Sequence, residues 1–188
     1  MTSSLPALLL AATVGAALGA WALPASVMAQ TPPATAPAAI PVIESQIVNG
    51  KGEPIGRIAI RDGANALVLR LTVQPGGLPP GWHGIHFHAV GNCSDTQTFE
   101  ASKAHINHDQ SKHGLLNPDG PDEGDLPNVY AHADGSVNAE VSSDTPVNGE
   151  GGLKDGDGSA LIIHANPDDH ITQPIGGAGP RIACAVIK

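Results

Sequence analysis

Apolar residues along this chain fall in short runs, either alternating with polar ones or clustered as β-branched groups, and turn signals close the runs. Gln46-Ile47-Val48 leads into Asn49-Gly50-Lys51-Gly52. Ile55 to Ile60, with Ile55, Ile58 and Ile60, leads into Asp62-Gly63, and Ala66 to Val73 (ALVLRLTV) alternates in part. Side chains two apart on an extended chain share a face, so this patterning predicts strands. Further strands are predicted through Ile85–His88 and over Ser159–His164 and Arg181–Ile187. Asn128–Ala133 and Val137–Val141 form a predicted hairpin about the turn Ala133-Asp134-Gly135-Ser136. Helix signals are nearly absent, while 23 Gly and 17 Pro punctuate the chain throughout. About eight short strands separated by turns predict an all-β fold, an antiparallel sandwich or barrel. Two stretches, Gly91 to Pro127 and Ala165 to Pro180, are too long for turns and are rich in His, Asp and Gly. Long loops inside a small domain usually carry function, and these two hold most of the remaining polar chemistry.

The beginning of the chain reads differently. Leu5 to Leu23 is a run of Leu, Ala, Gly and Val, and Val27-Met28-Ala29 before Gln30 has the small residues of an export-signal cleavage site. Residues 1–29 are therefore expected to be a signal peptide, cut after Ala29. No Lys or Arg precedes the apolar run, so an uncleaved anchor is the alternative. Residues 30–41 form a Pro/Ala linker without the apolar content to build a core. Residues 42–188 then make one domain of a size that buries a real core.

All nine Lys and Arg and all eighteen Asp and Glu lie in that domain, which carries the full −9. That balance argues against nucleic acid, or a membrane surface once the signal is gone, as a partner. An anionic substrate would need local positive charge to be drawn in. The two cysteines, Cys93 and Cys184, in an exported chain read as one disulfide closing a long loop, worth about 2–4 kcal/mol. Two buried free thiols are the alternative.

Candidate chemistry centres on His83-Gly84-Ile85-His86-Phe87-His88. His86 and His88 are two apart on a predicted strand, so both imidazoles leave the same face. Two imidazoles on one rigid face are half of a metal site, and His105, His113, His164, Asp125 and Asp168 are available to complete it. Copper(II) suits imidazole nitrogen in a tetragonal array, and four histidines with an open axial face would hold it. Structural zinc prefers four tetrahedral N, O or S donors.

On these residues the domain resembles the copper/zinc superoxide dismutase family, in particular its exported bacterial branch. The matching segments are HGIHFHAVGNC (His83–Cys93), AHINHDQSKHG (Ala104–Gly114), GDLPNV (Gly124–Val129), IIHANPDD (Ile162–Asp169) and GPRIACAVI (Gly179–Ile187), in the family's order. The resemblance implies a Greek-key antiparallel β-sandwich, or flattened barrel, with two long functional loops. It implies that superoxide is dismutated to dioxygen and hydrogen peroxide by a redox-cycling copper with a zinc neighbour, in the periplasm. His86, His88, His105 and His164 would bind copper; His105 would bridge to zinc and act in proton transfer. His113 and Asp125 would bind zinc. Asp168 would hydrogen-bond His86 and His113, and Arg181 beside the copper would attract and orient superoxide. Cys93 and Cys184 match the family's intrachain disulfide. Members occur as homodimers and as monomers, and no interface signature stands out here.

One position departs from the pattern. The family's third zinc histidine lies three residues before the zinc aspartate, and Asp122 stands there instead, in Gly120-Pro121-Asp122-Glu123-Gly124-Asp125. Asp122 can substitute as a ligand, or the site is weak or empty; Glu123, His108 and water are lesser candidates. Zinc occupancy is accordingly open. The remaining histidines read as structural or surface residues: His83 satisfied in the fold, His132 on the surface, His108 and His170 near the site without a role. Trp82 and Tyr130 read as packing residues. A copper-binding envelope protein without catalysis is the alternative function; it would need the histidines but not Arg181.

Overall fold

The computed structural model describes residues 40–149 and 151–188. The predicted signal peptide, and the linker up to residue 39, lie outside the described residues. Among those described, the chain forms nine strands: β1 (Val42–Asn49), β2 (Pro54–Asp62), β3 (Leu67–Val73), β4 (Gly81–His83), β5 (Ile85–His88), β6 (Val129–Ala131), β7 (Val137–Ser143), β8 (Ser159–His164) and β9 (Arg181–Ile187). Seven of them form one antiparallel sheet in the order β5-β8-β9-β1-β2-β3-β7, and β4 pairs with β6. The all-β architecture follows the sequence pattern. None of the described segments is a helix long and apolar enough to cross a membrane.

Alternation decides which face is buried. In β3, Leu67, Leu69, Leu71 and Val73 point into the core while Val68, Arg70 and Thr72 face outward. In β2 the spacing Ile55, Ile58, Ile60 breaks a strict period of two, yet all three are buried. A bulge opposite Ile47 and Val48 explains this: Gly56 faces Ile47 and Pro54 faces Val48, leaving Ile55 as an extra residue turned back into the core. Strand β8 is buried along its whole length. Leu161 and Ile163 join the main core, while Ala160 and Ile162 on the opposite face pack with Phe99 and Cys184 in a second, smaller cluster. That second cluster is the floor on which the Gly91–Pro127 loop lies.

Two features differ from the sequence reading. The short strand β4 has little apolar content and was not predicted; Trp82 faces Tyr130 across its pairing with β6. The hairpin after Asn128 forms its turn, with the Ser136 carbonyl accepting from the His132 amide. Its two arms nevertheless part, because β7 ladders with all of β3 while β6 goes to β4. Trp82 and Tyr130 pack on each other at the surface, 55% and 48% exposed and edge to face with ring centres 5.1 Å apart. His83 is buried and satisfied, its ring nitrogens 2.7 Å from the carbonyl oxygens of His164 and Pro79. His132 is on the surface.

Candidate metal centre

The strand β5 is the anchor. Its free edge is covered by the Gly91–Pro127 loop, whose backbone runs alongside in bridge pairing: His88 with His105 and His86 with Asp125. The Phe87 amide donates to the Gly124 carbonyl at 2.8 Å, and the Ile106 amide donates to the Phe87 carbonyl at 3.0 Å. Such close apposition requires glycine at position 124, since a Cβ there would run into the Phe87 carbonyl and come within 2.9 Å of His105 Cβ. The pairing places His105 and Asp125 beside the two histidines of β5. His164 arrives from β8, on the face it shares with Ile162, two residues earlier.

Four imidazoles thereby form a quadrangle. Ring centres are 4.3 Å apart for His86 and His105, 5.1 Å for His105 and His88, 6.0 Å for His88 and His164, and 4.8 Å for His164 and His86. One nitrogen of each ring is spoken for or faces an acceptor. His86 Nε2 lies 2.7 Å from Asp168 Oδ2, His88 Nδ1 2.7 Å from the Lys103 carbonyl, and His164 Nδ1 2.8 Å from the Gly179 carbonyl. His105 Nδ1 faces Asp122 Oδ2 at 3.0 Å. The opposite nitrogens, His86 Nδ1, His88 Nε2, His105 Nε2 and His164 Nε2, are buried without any hydrogen-bond partner. Buried polar atoms left unpaired are costly. His86, His88 and His164 bring their ligand atoms within 4.8 Å of one another, and His105 adjoins them through His86; imidazole donors in this number fit a copper(II) ion. Burial pushes His86 down to about 4 and His164 to about 3, and holds His88 well below its ordinary value. At neutral pH these rings are uncharged, with the lone pair a metal needs.

A second set of donors adjoins the first. His105, His113, Asp122 and Asp125 each bring one ligand atom within 4.8 Å of the others. Asp125 Oδ2 accepts from the amides of Gly114 (2.6 Å) and Asp122 (3.0 Å), leaving Oδ1 turned to His113 Nδ1. Asp122 Oδ1 accepts from the Gly124 amide at 3.0 Å and, with Oδ2, faces His105 Nδ1, Oδ2 being the nearer. His113 Nδ1 and Asp125 Oδ1 lie against each other inside this set, and N and O donors in this number fit zinc. Burial would lower His113, but hydrogen bonds to Asp125 and Asp168 outweigh it and raise its value to about 10.

Asp168 links the two sets. Oδ2 accepts from His86 Nε2, and Oδ1 accepts from His113 Nε2 at 3.1 Å and from the His170 amide at 2.6 Å. Burial opposes its ionisation, yet these donors hold the carboxyl far below the usual range. Gly176, at φ +57°, passes so close that any Cβ would strike this carboxylate. Asn128 clamps the Asp168 backbone from both sides, accepting from its amide and donating to its carbonyl, each at 2.8 Å. Gln173 does the same for His113, accepting from its amide at 3.0 Å and donating to its carbonyl at 2.8 Å.

Arg181 lines the same open cleft as His88, His105, Gln173 and Ile175. Its Nη1 donates to the Phe99 carbonyl (2.7 Å) and Ser102 Oγ (3.1 Å), and Nη2 donates to the Lys103 carbonyl (2.8 Å). The Lys103 carbonyl thus holds both Arg181 and His88. The segment reaches this pose through positive φ at Phe99 (51°, left-handed helical) and Lys103 (66°). Cys93 and Cys184 form a disulfide with Cα atoms 5.9 Å apart. It ties the loop that holds the guanidinium to the strand that bears it. Sequence reasoning missed Phe99, Ser102 and Lys103 because their contribution is mostly backbone carbonyl, which leaves no residue signature. Asn128 and Gln173 could have been suspected only as polar residues in functional loops.

The sequence profile described as copper/zinc superoxide dismutase (SODC) matches residues 55–187. This chain belongs to that family. A Cu-Zn superoxide dismutase of Caulobacter vibrioides is 48% identical over 144 residues, 74% of this chain and 81% of that protein. A second Cu-Zn enzyme, numbered 2 in Aquifex aeolicus, is 40% identical over 77% of this chain and 85% of its own. Among solved structures, a superoxide dismutase-like protein of Bacillus subtilis superposes with a TM-score of 0.73 at 34% identity, covering 80% of this chain and all of that one.

Proposed function

We propose that this chain is an exported copper/zinc superoxide dismutase, converting superoxide to dioxygen and hydrogen peroxide in the periplasm. The observation that carries the reading is the quadrangle of four unpartnered imidazole nitrogens beside a guanidinium fixed by three oxygens. His86, His88, His105 and His164 would hold copper, and His105, His113 and Asp125 would hold zinc. Copper supplies the one-electron chemistry when bound, and the protein supplies binding, orientation and electrostatics.

Arg181 raises the local concentration of a small anion against the −9 of the chain and fixes its orientation at the cleft. Its charge persists despite burial, which lowers its value somewhat against the nearby Glu100 and Asp95. His105 has one ring nitrogen toward each ligand set, so it is the residue to hold a proton at Nε2 and give it to the departing peroxide. Asp168 and the Lys103 carbonyl fix the ring orientations of His86 and His88, so that the correct nitrogen faces inward. The apolar leader and the disulfide support export, since disulfides persist in oxidising compartments.

A copper-binding role without turnover would have no use for Arg181, and three hydrogen bonds hold it in the cleft. The test is superoxide decay on copper- and zinc-loaded protein, with metal stoichiometry by native mass spectrometry on the same sample. Bound copper without accelerated decay would overturn catalysis; no bound copper would overturn the whole reading.

A further inference from the structure

We infer that Asp122 is the fourth ligand of the second metal site, making it a two-histidine, two-carboxylate centre built from His105, His113, Asp122 and Asp125. This rests on the reading of a metal pair above and goes further, because the family pattern places a third histidine at this position.

Four observations carry it. First, Asp122 is buried, 6% exposed in a strongly acidic chain, and an ionised carboxylate is almost never buried without a partner. Second, both its oxygens face His105 Nδ1, the nitrogen on the zinc side of the shared imidazole, Oδ2 at 3.0 Å and Oδ1 at 3.3 Å, while the Gly124 amide donates to Oδ1 alone and so leaves Oδ2 the freer donor. Third, its donor atom falls within 4.8 Å of those of His105, His113 and Asp125. Fourth, the two carboxylates are built as a unit. The Asp122 amide donates to Asp125 Oδ2 at 3.0 Å and the Asp125 amide to the Asp122 carbonyl at 3.2 Å. This interlock orients Asp122 Oδ2 and Asp125 Oδ1 toward the same imidazole, His105, at 3.0 and 3.6 Å.

The other candidates point elsewhere. Glu123 Oε2 accepts from the His108 amide and lies 3.3 Å from His108 Nδ1, and the His108 side chain is half exposed. Neither takes part in the cluster of donor atoms. The short aspartate side chain reaches the cluster because its backbone is drawn in by Asp125, which removes the objection that a histidine is needed for length.

The chemical consequence is charge. With Asp122 and Asp125 both ionised, the carboxylates cancel the two positive charges of zinc, where a three-histidine, one-aspartate set would leave one. The second site then adds little to the attraction of an anion, and that task falls to Arg181.

The test uses the full mature protein loaded with copper and zinc. X-ray absorption at the zinc edge of the wild type should show two imidazole and two oxygen neighbours. Asp122→Ala should weaken zinc in chelator competition by about 100-fold, in the upper part of the range for losing support at a metal site, with copper stoichiometry unchanged. Asp122→His should bind zinc with three imidazoles in the absorption spectrum. A wild-type zinc shell with a single carboxylate, or Asp122→Ala that keeps wild-type zinc affinity, overturns the inference. Copper stoichiometry and superoxide decay in the same samples report on the dismutase reading separately. Asp122→Asn, which preserves shape, checks that loss of zinc is not loss of fold.

Discussion

Replacing Cys93 and Cys184 together by alanine removes the covalent tie between the Gly91–Pro127 loop and β9. The bridge joins residues 91 apart. By the chain-entropy relation, restricting a loop of that length is worth about 4–5 kcal/mol at 25 °C, and losses of native disulfides run at about 2–5 kcal/mol. Cys184 is fully buried against Phe99, Ala160 and Ile162, so alanine is chosen over serine to avoid leaving an unpaired hydroxyl there, which would add about 1–3 kcal/mol of its own. For a domain of this size each kcal/mol moves the midpoint by about 2–4 °C. The expected fall is therefore about 10–15 °C, read by differential scanning calorimetry on metal-loaded protein against the oxidised wild type. A functional effect should accompany it at temperatures where both proteins are folded. The loop carries the Phe99 carbonyl, Ser102 Oγ and the Lys103 carbonyl that fix Arg181. Superoxide decay should slow while copper stays bound. A midpoint shift under about 3 °C, less than about 1.5 kcal/mol, would refute the reasoning and show that the small apolar cluster and the hydrogen bonds hold the loop unaided.

Arg181→Glu should lower the rate of superoxide decay at least about tenfold at low salt and invert its salt dependence, since added ions would then screen repulsion instead of attraction; an unchanged rate at low salt removes Arg181 from steering. Asp168→Asn keeps shape but loses an acceptor for one of two imidazoles, and chelator competition should show metal binding weakened by about 10–100-fold; wild-type affinity for both metals would contradict the linking role. In metal-free protein, the lowered values of His86 (about 4) and His164 (about 3) mean that the unfolded chain takes up protons first. Their stabilising contribution, complete above about 6.5, is lost as pH falls through that value toward 3. The raised value of His113 (about 10) acts oppositely, contributing below about 6.5 and being lost as pH rises toward 10. Melting temperature of the metal-free chain should therefore fall on both sides of near-neutral pH, and a curve flat from pH 4 to 9 would contradict these environments.

The sequence by itself determined the strands, because in a sheet with one face buried the alternation of apolar and polar residues is the fold's own period. ALVLRLTV reads directly as β3, and the His-x-His spacing places two imidazoles on one face of β5. Ile55 was legible as core only through the bulge, which depends on how β2 registers against β1 and not on β2 alone. Likewise β4, three residues long with an exposed Trp82, lacks any local period to announce it. The site divides along the same line. Residue types and order marked the histidines, Asp125, Asp168, Arg181 and the cysteines as candidates. Only the folded chain decided that Asp122 Oδ2, and not Glu123 or His108, faces His105, because that outcome depends on backbone amides of a coiled loop drawing one carboxylate inward. Side-chain chemistry is written one residue at a time, whereas the carbonyls that hold Arg181 and the pairing that sets Asp122 exist only where distant segments meet.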